Sequence, residues 1–263
     1  MKSVIICEGK IDSIFLSYYL SSLYNWKSVD CKDGKEWVRR NDNKKRLNEF
    51  VDSSNNPACY WYFRDDDNIL GIYSVKSNSN IGKGVDQIFN INLVTTTTAI
   101  DKMVIITDRD DENVEKRIIT LLSDKLRERK IDIQSNIKNN EWIKTFYNKN
   151  GETKEFDILL LIIPFETTGT IESFLLDCLS QKSIEEHNLV DLCDNFIELA
   201  LKEDYIKDKY LNSRGIIPKA KFSAYFSVTS PNRTFDAGDK ILKSIPWEEY
   251  THTQQTFQLL SQL

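Results

Sequence analysis

The 263-residue chain has two histidines, His187 and His252, and five scattered cysteines, Cys7, Cys31, Cys59, Cys178 and Cys193. An odd number of cysteines with no CxxC pair argues against a disulfide framework and against structural zinc. Two lone histidines in polar stretches argue against a Ser-His-Asp triad or a His-rich zinc site. No apolar run approaches the roughly 20 residues needed to span a bilayer; the longest, Ile158 to Phe165, has the length of a strand. The opening Met-Lys-Ser-Val-Ile-Ile-Cys is too short for a signal-peptide core and is followed at once by charges, so the expected location is cytoplasmic. Bulk positive charge is also lacking: the net charge is -5, which excludes a polycation held on nucleic acid by charge alone. An acidic balance still suits an enzyme whose carboxylates are partly neutralised by metal. There is no internal repeat. Gly82-Lys83-Gly84 is not a P-loop, because the GxxxxGK[ST] spacing is missing.

Hydrophobic residues at 40% and aromatics at 11% fit a folded chain long enough for a sizeable core. Ser3 to Cys7 is a β-branched apolar run, read as a buried strand. Glu8-Gly9-Lys10 forms a turn, and Ile14, Phe15, Tyr18, Tyr19 and Leu23 follow with helical spacing. Cys59 to Arg64 and Ile69 to Lys76 are expected to form a hairpin around Asp65-Asp66-Asp67-Asn68. Ser77 to Gly84 reads as a loop and Val85 to Thr98 as a helix. Met103 to Thr107 is a second buried strand, closed by Asp108-Arg109-Asp110-Asp111 and followed by a helix over Asn113 to Arg129. Trp142 to Tyr147 and Phe156 to Pro164 flank the turn Asn150-Gly151 as a second hairpin. A helix begins at Thr170, others lie near Val190 to Lys202 and Thr256 to Leu263, and Lys219 to Val228 is mixed. The order of elements predicts an α/β fold with a mostly parallel central sheet flanked by helices.

In such sheets ligands gather at the carboxyl ends of strands. Glu8 and Asp108 each stand just past such an end, Asp110 lies two residues on, and Asp12 opens the helix after Glu8. Mg²⁺ takes oxygen ligands and binds through one or two carboxylates and water. Like charges gathered there repel, so a cation must compensate them or some must be protonated. The competing explanation is that Asp108, Asp110 and Asp111 cap the next helix.

Glu8-Gly9-Lys10-Ile11-Asp12 after one strand, with Asp108-Arg109-Asp110 after another, resembles the Toprim domain. That domain is shared by topoisomerases, DnaG-type primases, recombination protein R and nucleases of the overcoming-lysogenization-defect type. The resemblance covers residues 1 to 180 and implies a Rossmann-like Toprim core with a hairpin insertion at about 31 to 93. Residues 181 to 263 would form a helical and mixed extension packed on the same domain. It implies one or two Mg²⁺ or Mn²⁺ ions held by Glu8, Asp108 and Asp110, acting on phosphodiester bonds. Asp12 and Glu172 would help hold the second ion, with Glu166 the less favoured acid. Glu172 equally suits a helix-dipole or capping-box role. Lys219 and Lys221 would offset charge on the phosphate, or else sit on a solvated strand end.

Lys10, Arg109 and Arg64 are candidate substrate contacts. The run Tyr60-Trp61-Tyr62-Phe63 reads as core before it reads as a base-stacking platform. The expected function is a metal-dependent nuclease acting on DNA or RNA. By analogy it suits a toxin-like effector of anti-phage defence, held off by a regulatory ATPase and compatible with a homo-oligomer. The alternative is a non-catalytic Toprim module that binds nucleic acid or a protein; phosphoryl transfer to a small molecule is a third reading.

Overall fold

The structure is a computed structural model that describes residues 1–28, 59–65, 68–94, 99–213, 215–233 and 241–263. Cys31, residues 31–58 of the expected insertion and Thr95 to Thr98 lie outside the described residues, as do the side chains of Cys59 and Tyr60. The elements in chain order begin with β1 (Lys2–Cys7), α1 (Lys10–Tyr24), β2 (Lys27–Ser28), β3 (Cys59–Arg64) and β4 (Asn68–Ser74). Then come α2 (Ile81–Val94), β5 (Lys102–Asp108), α3 (Val114–Glu128), β6 (Asp132–Ile133), β7 (Trp142–Lys149) and β8 (Glu152–Ile163). The remaining helices are α4 (Ile171–Ser180), α5 (Ile184–Ala200), α6 (Asp204–Tyr210), α7 (Ile216–Thr229) and α8 (Thr251–Thr256). Among the described residues, no helix is long and apolar enough to cross a membrane.

The chain divides into two compact units: Met1–Thr107, Asn113–Ile162 and Phe257–Leu263 form unit 1, and Asp108–Glu112 with Ile163–Thr256 form unit 2. Unit 1 is built on a sheet of eight strands in the order β2-β3-β4-β1-β5-β8-β7-β6. In its middle β1 runs parallel to β4 and β5, with Cys7 level with Ser74 and Ile106. Strands β3 and β4 form the expected hairpin, and so do β7 and β8. The second hairpin turns through Asn150 at φ 54° and Gly151 at φ 84°. Both residues of a two-residue turn need positive φ for its twist to match the strands, and Asn-Gly supplies that cheaply.

Alternation along the strands divides the core between two faces. Val4, Ile6, Met103, Ile105, Leu160 and Ile162 pack under α2 and α3. Ile5, Leu70, Ile72 and Val104, one residue out of phase, are also fully buried. Helix α3 turns Val114, Ile118, Leu122 and Leu126 inward, the spacing of one helical face. The last residues of the chain return to this unit. Phe257, Leu260 and Leu263 are wholly buried, and the Phe257 ring lies 5.4 Å from Phe15 and 5.5 Å from Tyr19.

Three expectations are corrected. The loop expected over Ser77 to Gly84 ends at Asn80, because Ile81 to Gly84 already form the first turn of α2. Gly82 and Gly84 are not breakers there; they allow close packing. A Cβ on Gly82 would lie 3.2 Å from Leu121, and one on Gly84 would lie 3.1 Å from Val75 and 3.3 Å from Ile6. The mixed stretch Lys219 to Val228 lies inside the single helix α7, which buries Phe222, Tyr225 and Phe226 at helical spacing. The helix expected over Thr256 to Leu263 is instead the end of α8 followed by a 3₁₀ turn over Gln258–Gln262.

Candidate functional site

In unit 1, β1 ends at Cys7 and leaves Glu8 half-buried at the carboxyl end of the parallel strands. The Glu8 carbonyl accepts the Ser74 hydroxyl at 3.4 Å. Its carboxylate oxygen Oε1 accepts the hydroxyl of Thr107, which is 2% exposed. A hydrogen bond to a charged group is shorter and stronger than a neutral one, so it fixes the side chain. Thr107 was not among the candidates. Its signal is a polar residue closing the otherwise apolar run Met103 to Ile106, with Asp108 next in the chain.

Asp12 lies in the first turn of α1 and is 6% exposed. Its Oδ2 accepts the Gly9 N–H at 2.8 Å, satisfying one of the donors a helix start leaves open. Lys10 is exposed. Of the aromatic run, Trp61 and Tyr62 are buried in the sheet, as a core strand requires. The Arg64 guanidinium lies 4.7 Å from the centre of the Trp26 ring and donates to the Leu263 carbonyl.

In unit 2 the acid that ends β5 is engaged by a later helix. The residue before α3 is Asn113, and it makes no side-chain capping bond. The Asp108 carboxylate instead accepts the first N–H of α4, that of Ile171, at 2.9 Å. A carboxylate there meets the positive end of the helix dipole. Arg109 is held by backbone on both sides: its N–H donates to Ile163 at 2.8 Å and its carbonyl accepts from Gly169 at 2.9 Å. Its Nε donates to the Pro164 carbonyl at 2.8 Å, so part of the guanidinium is committed to the protein. Asp110 is exposed.

Glu172 is 2% exposed in the first turn of α4. The capping box expected to involve it is made by its neighbour: Thr170 and Ser173 exchange side-chain and backbone bonds at 3.3 and 3.5 Å. Glu172 Oε2 is buried with no hydrogen-bond partner. A buried unsatisfied carboxylate oxygen is costly unless a cation or donor meets it. That leaves Glu172 with the dipole alone, and capping does not account for its burial. Glu166 is exposed.

The two lysines lie on helix α7 and not at a strand end. Lys219 is exposed. The Lys221 ammonium lies 3.4 Å from Asp194 and 3.1 Å from Glu198, both on α5. His187 pairs with Asp191 at 3.5 Å, and His252 packs its ring 5.0 Å from Phe174. A cleft of about 280 Å³ in this unit is lined by Cys178, Gln181, Tyr250 and His252 among others, and by none of the acids named above. Burial pushes the Cys178 thiol up to about 12, which makes it a poor nucleophile.

Taken by unit, the structure joins Glu8 to Thr107 and Asp12 to Gly9 in one, and Asp108 to the start of α4, next to Glu172, in the other. Among the described residues, no three His, Cys, Asp or Glu side chains stand together as a metal-ligand group.

The fold is that of an α/β protein with a mixed sheet, parallel at its middle and flanked by helices. Residues 2–258 match a family described as "Protein of unknown function (DUF3226)", and the chain belongs to that family. Its fold is similar to the crystal structure of hypothetical protein PH0156 from Pyrococcus horikoshii OT3, with a TM-score of 0.50 and 14% identity over 99% of this chain and 100% of that one. No curated protein matches the chain.

Proposed function

We propose that this chain is a Toprim-type nuclease that uses Mg²⁺ or Mn²⁺ to hydrolyse phosphodiester bonds of DNA or RNA, on a Rossmann-like core. Glu8, Asp108 and Asp110 are its metal ligands, and Asp12 and Glu172 the acids for a second ion. The observation that carries the reading is Glu172 Oε2, buried without a hydrogen-bond partner in the first turn of the helix whose opening N–H is bound by Asp108. Such an oxygen fits a hard cation, which takes oxygen ligands. A bound divalent cation supplies Lewis acidity toward the phosphate.

The chain's own residues hold and orient. Thr107 fixes the Glu8 carboxylate, and the Ile171 N–H fixes that of Asp108. The Gly9 N–H turns Asp12 back over the start of α1. Lys10 and Lys219 are exposed cations for the phosphate backbone, and Arg109 is a further candidate contact. Lys221, held by two acids, serves the packing of α7 on α5. By analogy the setting is an effector of anti-phage defence held off by a regulatory ATPase or another partner, and it is compatible with a homo-oligomer.

The test is cleavage of labelled DNA and RNA by the purified chain with Mg²⁺ or Mn²⁺, beside Glu8→Ala and Asp108→Ala, with Mn²⁺ binding followed by calorimetry. Cleavage and Mn²⁺ binding that both variants lose support the reading. A chain that binds no Mn²⁺, and whose variants match wild type, is a non-catalytic module.

A further inference from the structure

The large apolar side chains left exposed are not evenly spread. Among the described residues of unit 1 they are Met1, Leu23 and Ile133, at 37 to 40% exposure. In unit 2, Ile184, Leu192, Phe196 and Leu199 of α5 reach 60 to 66%, Tyr205 and Tyr210 of α6 reach 66% and 56%, and Ile216 and Val228 of α7 reach 38% and 60%. Helix α5 already has a core side, where Val190, Cys193 and Ile197 are buried. At 3.6 residues per turn, Ile184, Leu192, Phe196 and Leu199 fall within an arc of roughly 120° on the opposite side. Single exposed leucines are ordinary, but a helix with two apolar faces has one still to cover. The steps from Leu192 to Phe196 to Leu199 are those by which one helix seats another.

Charge selects what covers it. Helix α5 carries Glu185, Glu186, Asp191, Asp194 and Glu198, and no lysine or arginine. Glu186 accepts the Tyr225 hydroxyl, and Asp194 and Glu198 flank Lys221. Glu185 and Asp191 are exposed at the stripe, Asp191 paired with His187 at 3.5 Å. A second α5 laid on the first would set acids against acids. A phosphate backbone or an anionic bilayer would meet the same repulsion.

We infer that the outward face of α5 is a docking site for a cationic amphipathic helix of a protein partner. Leucine-like side chains of that helix pack on Leu192, Phe196 and Leu199, and its lysines or arginines face Glu185 and Asp191. The inference stands apart from the metal site and holds whether or not the chain cleaves nucleic acid.

The test is fluorescence anisotropy with the full chain and a labelled Leu/Lys amphipathic peptide of about 18 residues, five helical turns. The peptide is expected to bind saturably and gain helicity, while a Leu/Glu peptide of the same pattern does not bind. Leu192→Gln with Phe196→Gln should weaken binding at least about tenfold. Glu185→Gln with Asp191→Asn should weaken it several-fold and flatten its salt dependence. Melting curves followed by circular dichroism show whether these surface variants stay folded. Three results overturn the inference: glutamine variants that bind the peptide like wild type, sedimentation showing a dimer that those variants dissolve, or single-stranded oligonucleotide binding abolished by the same substitutions.

Discussion

The Thr107 hydroxyl donates to the Glu8 carboxylate, tying the acid after one strand to the residue that ends the apolar run of its parallel neighbour. Thr107 therefore acts on Glu8 as a positioning residue. Thr107→Val keeps the shape and removes the donor. With Glu8 as the metal ligand proposed above, it should lower Mn²⁺-dependent cleavage and Mn²⁺ affinity by roughly 10–100-fold, the usual cost of losing a partner of a metal ligand. Thr107→Ser should retain both. The readouts are single-turnover cleavage and calorimetry; equal activity in all three proteins would remove Thr107 from this role.

On the proposed reading, Glu172 sets stability against metal binding. Its buried Oε2 lacks a partner, so Glu172→Gln should raise stability without metal by about 1–2 kcal/mol. The same variant should bind Mn²⁺ more weakly. Urea unfolding in chelator, with and without added Mn²⁺, measures both. A variant less stable than wild type in chelator contradicts the first expectation.

Gly84 is required by contact. A methyl group there would lie 3.1 Å from Val75 and 3.3 Å from Ile6, so Gly84→Ala forces α2 away from the sheet at a cost of about 1–3 kcal/mol. Gly151→Ala meets no atom but must hold φ at 84°, costing about 1 kcal/mol. Equilibrium unfolding of the two variants separates crowding from backbone strain.

Asp157 makes unit 1 sensitive to pH. Burial raises its carboxyl above the ordinary 3.8, against the pull of Lys144 and Lys102, and its Oδ1 has no partner. The folded chain then holds this proton more tightly than the unfolded one. Its contribution is greatest below 3.8 and is lost as pH rises through the raised folded value. Asp157→Asn should melt higher than wild type at neutral pH, and the difference should shrink on acidification. A difference independent of pH would assign the effect to packing.

Where local chemistry and tertiary demand agree, the elements are legible from residues alone. Strands β1 and β5 announce themselves by β-branched runs, the second hairpin by Asn150-Gly151, and α3 by its apolar face. The start of α2 is not legible, because glycines that break a helix in isolation are needed for its approach to the sheet. Helix α7 is obscured by Ser223, Ser227, Val228 and Thr229, weak helix formers among its core residues. At the candidate site, Glu8 and Asp108 are readable from their places at strand ends and Asp12 from its place at a helix start. Thr107 and the Thr170–Ser173 box are not, since a hydroxyl's partner depends on which atoms folding brings within reach.

The final segment carries a cost for the nascent chain. Phe257, Leu260 and Leu263 complete the core around Phe15 and Tyr19, yet all of 163–256 is translated before them. Phe257→Ala should cost about 3–5 kcal/mol, measurable by urea unfolding. At 5–20 residues per second, Phe15 and Tyr19 wait on the order of ten seconds for their covering ring. For that interval the first-made unit presents a sticky aromatic slot on the ribosome, which suits it to capture by a chaperone.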